Sequence, residues 1–168
     1  RTVRLAQGRH ACPLLALLGP ASEAPIPRLA ELFPTNPAER LVEGEVLMLR
    51  VLTPDFPAYL TVDYFAADGM VVHLAAGSAD AAAAPPRASV TIGDPQAGPK
   101  LTIAAPFGDE VVAVIASAAP LFAEPRPKVE PAETYLIALA EALARQPDAQ
   151  ASTIMLHTRA KGGRFGPR

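Results

Sequence analysis

The sequence predicts a mainly β protein: an antiparallel β-sandwich of immunoglobulin-like size, with about seven strands and one α-helix in its C-terminal half. Three observations predict this fold. Short apolar runs alternate with polar residues at a period of two, which is typical of strands with one buried face. The 19 prolines fall between these runs rather than inside them. Only one long stretch has helical periodicity, whereas a parallel sheet needs several crossover helices.

The composition of the chain excludes several classes of function. At 168 residues, half of them hydrophobic, the chain is long enough for one domain with its own core. A net charge of −2 gives no general attraction to nucleic acid or anionic lipid. The single cysteine excludes an internal disulfide, and no apolar run reaches the ~18 residues of a membrane span. Because the chain begins with arginine, we expect it to be a piece of a longer protein.

The N-terminal segment, residues 1–44, is predicted to form a proline-rich arm packed on the domain. Residues 11–18 are apolar and fit either a short strand or a helix. Residues 29–33 fit a helical turn. Prolines near both segments limit their length, since proline lacks the backbone N–H and restricts the residue before it.

The domain proper is predicted to span residues 45–158, built around a compact antiparallel meander of three strands in residues 45–74. An Asp-Gly pair at 68–69 supplies residues that tolerate positive φ in a tight hairpin. Alternation places two sets of side chains on opposite faces of the second strand. These sets are Leu60, Val62 and Tyr64 on one face, and Tyr59, Thr61, Asp63 and Phe65 on the other.

The segment after the meander is predicted to hold a loop and three short strands. Residues 75–87 are mostly alanine, too small to anchor the loop, and we expect mobility there. The strands are expected at residues 88–92, 100–104 and 110–117. The last run is apolar on both faces, so it is predicted to be the central, most buried strand.

The C-terminal part holds the predicted helix, residues 130–146. A stripe at helical spacing supports it, made of Tyr135, Leu136, Leu139 and Leu143. A last strand is expected at residues 153–158. Residues 159–168 are basic and glycine-bearing, and we expect a flexible tail.

Three blocks of sequence, in order, resemble a known family. The first combines Leu-Thr-Pro-Asp-Phe-Pro-Ala-Tyr-Leu-Thr-Val-Asp-Tyr-Phe at 52–65 with Asp-Gly at 68–69 and Val-Val-His-Leu at 71–74. The second is Pro-Phe-Gly-Asp-Glu-Val-Val at 106–112, which runs on into Ala-Ser-Ala-Ala-Pro-Leu-Phe. The third is the helix with its Tyr-Leu pair. Together they resemble the bacterial domain-of-unknown-function family numbered four-three-eight-four.

This resemblance implies an accessory, β-rich bacterial domain. Members of the family often follow serine/threonine kinase-like or caspase-like modules, or envelope-associated segments. The resemblance implies no catalytic residue in this chain. It leads us to expect an extracytoplasmic location, periplasmic or associated with the cell envelope.

Two residues on neighbouring predicted strands suggest chemistry. Asp63 and His73 both face away from the Leu60 side, and a carboxylate beside an imidazole can orient a general base. Ser117 would complete the residue types of a hydrolase triad, but it lacks the Gly-x-Ser-x-Gly elbow. We favour a cross-strand pair that fixes the hairpin register, because no nucleophile is placed nearby.

Metal and cofactor sites are not predicted. The three histidines are isolated in sequence and show no metal-ligand spacing. The aspartates do not form the spaced acidic loop of a calcium site, and Asp68 and Asp94 are explained by turn geometry. The glycines form no phosphate-binding loop.

Four of the nine aromatic residues, Phe56, Tyr59, Tyr64 and Phe65, lie on one predicted hairpin. Core packing is the explanation that we favour for them, since alternation sends some inward, but the cluster is also the strongest functional indication. We predict a non-catalytic accessory module that binds a protein or cell-envelope component through this aromatic hairpin and the loop after it. Two alternatives stay open: a small hydrolase that uses Asp63 and His73, and a structural subunit held through exposed sheet edges or the N-terminal arm. The predicted contact residues are Phe56, Tyr59, Asp63, Phe65 and His73.

Overall fold

Two β-sheets and two α-helices make up the computed structural model, which describes residues 11–22, 29–32, 39–97 and 100–165. The prediction of a mainly β fold is confirmed. The described residues contain nine strands rather than about seven. In chain order the elements are α1 (Ala11–Ser22), β1 (Ala30–Leu32), β2 (Arg40–Val42), β3 (Leu49–Leu52), β4 (Tyr59–Phe65), β5 (Met70–Ala75), β6 (Ser89–Ile92), β7 (Asp109–Ser117), β8 (Val129–Pro131), α2 (Ala132–Ala144) and β9 (Gln150–Arg159).

The strands form a three-stranded sheet in the order β1-β3-β6 and a six-stranded sheet in the order β2-β9-β7-β4-β5-β8. Every pair is antiparallel except β2 with β9, which is parallel. Strand β7 lies inside the larger sheet, between β9 and β4, and residues 110–117 are all buried. Its prediction as the central strand is confirmed.

Both faces of the six-stranded sheet are covered. On one face the smaller sheet packs, with Leu49 and Val51 of β3 against Val62, Val112 and Val114. On the other face lie the two helices, which bury a second cluster of apolar side chains. That cluster includes Leu14 and Leu18 of α1, Tyr135 and Leu139 of α2, and Phe65, Val111 and Ile115 of the sheet. Two-sided burial explains why β7 is apolar on both faces.

The prediction of a three-stranded meander is wrong for its first strand. Strand β3 pairs with β1 and β6, so it belongs to the smaller sheet, whereas β4 and β5 pair in the larger one. The chain crosses between the sheets through residues 53–58. Pro54 and Pro57 lie in this connection, and because proline cannot donate a ladder hydrogen bond, the segment does not form a tight hairpin.

The first 44 residues do more than lie over the domain. They supply α1, β1 and β2, so the described part of the predicted arm belongs to both sheets and to the helical layer. Residues 11–18 fall in the helix, one of the two predicted alternatives. The helical turn expected at 29–33 is instead strand β1, because these residues find a partner in β3; Phe33 lies outside the described residues.

Three other boundaries differ from the prediction. Residues 100–104 form no strand, only an isolated bridge from Thr102 to Val46. The helix starts at Ala132, since Glu130 and Pro131 belong to β8. The last strand runs to Arg159, whose guanidinium carbon lies 4.7 Å from the ring centroid of Phe165. The predicted flexible tail therefore starts with ordered contacts, and residues 166–168 lie outside the described range.

Candidate functional site

The five predicted contact residues lie in two different places. Phe56 is half-buried against the core between the sheets, and Tyr59 is half-buried at the start of β4. Asp63, Phe65 and His73 are on the face that α2 covers; the side chains of Asp63 and His73 are 0% and 5% exposed. A partner could reach these three only if α2 moved away. The aromatic hairpin is therefore not one continuous surface.

Asp63 and His73 are direct cross-strand partners in the pairing of β4 with β5. Asp63 Oδ1 lies 2.6 Å from His73 Nδ1. The register of the two strands shifts by one residue beside Asp63, so a bulge separates this pair from the pairing of Val62 with Ala75. The predicted pairing is confirmed, as is the prediction that both side chains face away from the Val62 side.

Three further residues complete a chain of buried polar contacts that the sequence reasoning missed. The Tyr135 hydroxyl donates to Asp63 Oδ2 at 2.6 Å. On the other side of the imidazole, His73 Nε2 lies 3.0 Å from Glu130 Oε1. Arg126 Nε donates to the same Glu130 oxygen at 2.8 Å, and Arg126 Nη2 donates to the second oxygen. We refer to Asp63, His73, Glu130, Arg126 and Tyr135 as the buried network.

Strand β8, at the edge of the six-stranded sheet, places Glu130 beside the β4–β5 hairpin and leads into α2, which carries Tyr135. The His73 N–H donates to Lys128 O at 3.0 Å, and Glu130 is in register with Val71. Pro131 then has φ −61° and ψ 129°, an extended conformation that turns the chain into α2. Tyr135 lies on the buried side of that helix, so its hydroxyl reaches Asp63.

The hydrogen-bond partners of His73 favour one arrangement of the protons. An ionised carboxylate only accepts hydrogen bonds, and both ring nitrogens of His73 face carboxylate oxygens. Both nitrogens can donate only if His73 is an imidazolium. Its charge and that of Arg126 then balance the carboxylates of Asp63 and Glu130. A balanced, hydrogen-bonded set avoids the high cost of an unpaired buried charge.

The pKa directions of His73, Glu130 and Tyr135 agree with this arrangement, whereas burial of Asp63 acts against its ionised form. Burial lowers the pKa of His73, but hydrogen bonds and charge from Asp63 and Glu130 outweigh burial and raise the pKa above 6.5. Burial acts to raise the pKa of Glu130, but Arg126 and His73 hold it below 4.5. Burial raises the pKa of Asp63, against the hydrogen bonds from His73 and Tyr135. Burial also raises the pKa of Tyr135, which keeps its proton for donation to Asp63.

Aromatic rings close the buried network. The Arg126 guanidinium carbon lies 5.3 Å from the Phe122 ring centroid and 5.8 Å from that of Tyr135. The His73 and Tyr135 rings meet edge to face, with centroids 4.6 Å apart and an interplanar angle of 71°. Cation–π and edge-to-face contacts favour this packing. The rings of Phe122, Tyr135 and His73 thus pack around the network, whose Arg126 side chain is 26% exposed.

Ser117, the predicted candidate nucleophile, is not near His73. In the pairing of β4 with β7, Ser117 is opposite Tyr59 whereas Asp63 is opposite Ala113. Four residues along a strand correspond to about 13 Å. The Ser117 hydroxyl is buried and donates to Ala119 O at 2.8 Å. The three residue types of a triad are therefore present but not assembled.

The opposite face of the β4–β5 hairpin borders a cleft of about 350 Å³. Residues 100–106 form its other wall, and most of the lining is apolar. The apolar side chains include Leu47, Met70, Val72, Leu74, Leu101 and Ile103. A volume of this size is at the lower end of ligand pockets, about 300–1,000 Å³.

A hydrogen-bonded pair lies among the apolar walls of this cleft. The Tyr64 hydroxyl donates to Glu110 Oε2, and the Ala67 N–H lies 3.4 Å from Glu110 Oε1. Glu110 is only 2% exposed, and burial raises its pKa against hydrogen bonds from Tyr64, Thr158 and Ala67. Burial also raises the pKa of Tyr64, so the phenol keeps its proton. Asp68 and Lys100 are exposed members of the same lining.

Sequence reasoning missed this cleft for a physical reason. A strand at residues 100–104 would have continued a sheet, but the structure has only a bridge and a few backbone hydrogen bonds to residues 44–47. The segment is held by its backbone and leaves space next to β5. Glu110 at the start of the apolar central strand was the available signal, since a carboxylate buried there needs partners.

Residues 41–120 match the model of a family described as Domain of unknown function (DUF4384), which confirms the resemblance. The matched stretch covers the lining of the cleft except Val129, and it includes the Asp63–His73 pair, but it ends before β8 and α2. No curated protein and no solved structure matches the chain.

Two further findings concern classes of site. Among the described residues, no helix is both long enough and apolar enough to cross a membrane. Within the same ranges, no group of three or more His, Cys, Asp or Glu side chains is arranged to hold a metal ion.

Proposed function

We propose that this chain, whose residues 41–120 match the model of that family of unknown function, is a non-catalytic accessory module that binds a protein or cell-envelope component. The observation that carries the proposal is the cleft beside the β4–β5 hairpin. It combines apolar walls with one polar pair, Tyr64 and Glu110, which is the usual composition of a binding pocket.

The buried network supports a binding module over a hydrolase. A general base must be neutral to accept a proton, and it must be within reach of the group that it deprotonates. His73 has acceptors on both ring nitrogens, which favour the charged imidazolium. The network is also covered by α2, and Ser117 is far along the sheet. The role of the buried network is therefore to fasten α2 and β8 to the β4–β5 hairpin.

The loop after β5 supports a second contact surface, formed with Phe56 and Tyr59. The Thr53 hydroxyl donates to Pro85 O at 2.6 Å, and Ala58 and Ala84 exchange two backbone hydrogen bonds of 3.0 and 2.8 Å. Near its C-terminal end, the loop for which we expected mobility is thus fastened to the connection that carries Phe56. A surface ordered before binding loses less conformational entropy when a partner binds.

Photo-crosslinking in the parent cells distinguishes the two surfaces. A photoreactive amino acid at position 70, in the cleft, is expected to give a defined adduct that disappears when Val72→Trp fills the cleft. The matched control is position 137 on α2, whose isoleucine is 63% exposed and lies outside the cleft. Adducts from position 59 but not from position 70 would assign binding to the Phe56–Tyr59 surface. An absence of adducts at both positions would contradict a binding role.

A further inference from the structure

The geometry points to a positively charged ligand for the cleft: we infer that it takes a lysine side chain from an exposed segment of a protein partner. This inference rests on the proposed binding function. It names the chemistry of the bound group, an alkyl stem that ends in a primary ammonium. Three independent features of the cleft support it.

The first feature is the hydrogen-bonding character of the polar pair. Tyr64 has one hydroxyl proton and donates it to Glu110, so the phenol oxygen presents only lone pairs to a ligand. A carboxylate has about four acceptor sites. Tyr64 and Ala67 occupy two of them in Glu110. The pair therefore offers acceptors and requires a donor from the ligand.

The second feature is charge. Asp68 at the rim and Glu110 inside are both acidic, and the charge of Asp68 contributes to the raised pKa of Glu110. Lys100 is the one basic residue among the described residues that line the cleft, and its exposed side chain lies on the opposite wall. The lining therefore carries one more negative than positive charge. A cation placed near Glu110 stabilises its ionised form.

The third feature is shape. The walls next to the polar pair are apolar, which suits the methylene stem of a lysine. The mouth is broad, because the lining includes several exposed residues: Asp68, Lys100, Thr102, Ala104, Ala105, Pro106 and Val129. An open mouth leaves room for the backbone that carries the side chain. A small free amine would need no such opening.

NMR titration of the full chain with matched probes tests the inference. The probes are Nα-acetyl-lysine methylamide, Nα-acetyl-norleucine methylamide, which has a similar stem without the ammonium, and n-hexylammonium. We expect the lysine probe to shift the amide signals of β5 and residues 100–106, and to bind about tenfold more tightly than the norleucine probe, as a charge-assisted hydrogen bond implies. Glu110→Gln, which keeps the shape, is expected to remove that preference.

Each other outcome has a defined meaning. Equal binding of the lysine and norleucine probes in the cleft would leave the binding function standing and overturn the lysine inference. Binding of n-hexylammonium much more tightly than the lysine probe would overturn the protein source of the ammonium. No binding of any probe in the cleft would overturn the proposed cleft function as well. If Glu110→Gln does not fold, Asp68→Asn at the exposed rim is expected to reduce the preference severalfold.

Discussion

Replacing Asp63 with alanine is expected to lower the free energy of unfolding by about 3–5 kcal/mol, the usual cost of removing one partner from a buried ion pair. The substitution removes the acceptor for both His73 Nδ1 and the Tyr135 hydroxyl. His73 would keep one carboxylate partner, and the Tyr135 hydroxyl would lose its acceptor while fully buried. Chemical denaturation of wild type and variant measures the difference.

Asp109→Ala is the matched control for this loss. Asp109 also pairs with a histidine on a neighbouring strand, and its Oδ1 lies 2.6 Å from His157 Nδ1. The two side chains are 38% and 33% exposed, so solvent screens the pair. We expect a cost of at most about 1 kcal/mol. Similar losses for Asp63→Ala and Asp109→Ala would show that the buried network has no special role in stability.

The stability of the protein is expected to fall as the pH rises above 6.5, because the folded pKa of His73 is raised from that value. Between the unfolded and folded pKa values, the native state holds one proton more than the unfolded state. The free energy of unfolding then decreases by about 1.4 kcal/mol per pH unit. The raised pKa of Asp63 has the same sign, but its effect on stability begins as the pH rises above 3.8. The lowered pKa of Glu130 acts on the acid side, where stability is lost as the pH falls below 4.5.

Denaturation between pH 5 and pH 9 checks this dependence. His73→Gln should abolish most of the decrease above pH 6.5, so the gap between wild type and variant is expected to narrow as the pH rises. His157→Gln is the control and should keep the wild-type decrease, because its imidazole belongs to the exposed pair. A decrease that persists unchanged in His73→Gln would assign it to other groups.

Local alternation predicted the layers of the sheet well. It placed Val62 and Asp63 on opposite faces, and it identified β7 as the central strand from its two apolar faces. Alternation does not specify which strand is the neighbour. The connection at residues 53–58 therefore looked like a turn in one sheet, whereas it carries the chain from one sheet to the other.

The candidate sites were harder to predict than the strands, because each site combines residues that are far apart in the sequence. The Asp63–His73 pair lies within one hairpin and could be predicted from spacing. Glu130 and Tyr135 are 57 and 72 residues away from their partners in the chain, and no local pattern links them. The pair was predicted to lie on a contact surface, whereas its burial implies additional polar partners without identifying them.

The charge state of His73 at neutral pH tests the account most directly, and long-range ¹H–¹⁵N correlation of its ring nitrogens measures that state. We predict an imidazolium at pH 7, with both nitrogens protonated and with slow exchange of both protons, because Asp63 and Glu130 accept from opposite sides beneath α2. A neutral ring with one unprotonated nitrogen and rapid exchange would contradict it. That result would leave His73 able to act as a general base and would reopen the hydrolase hypothesis.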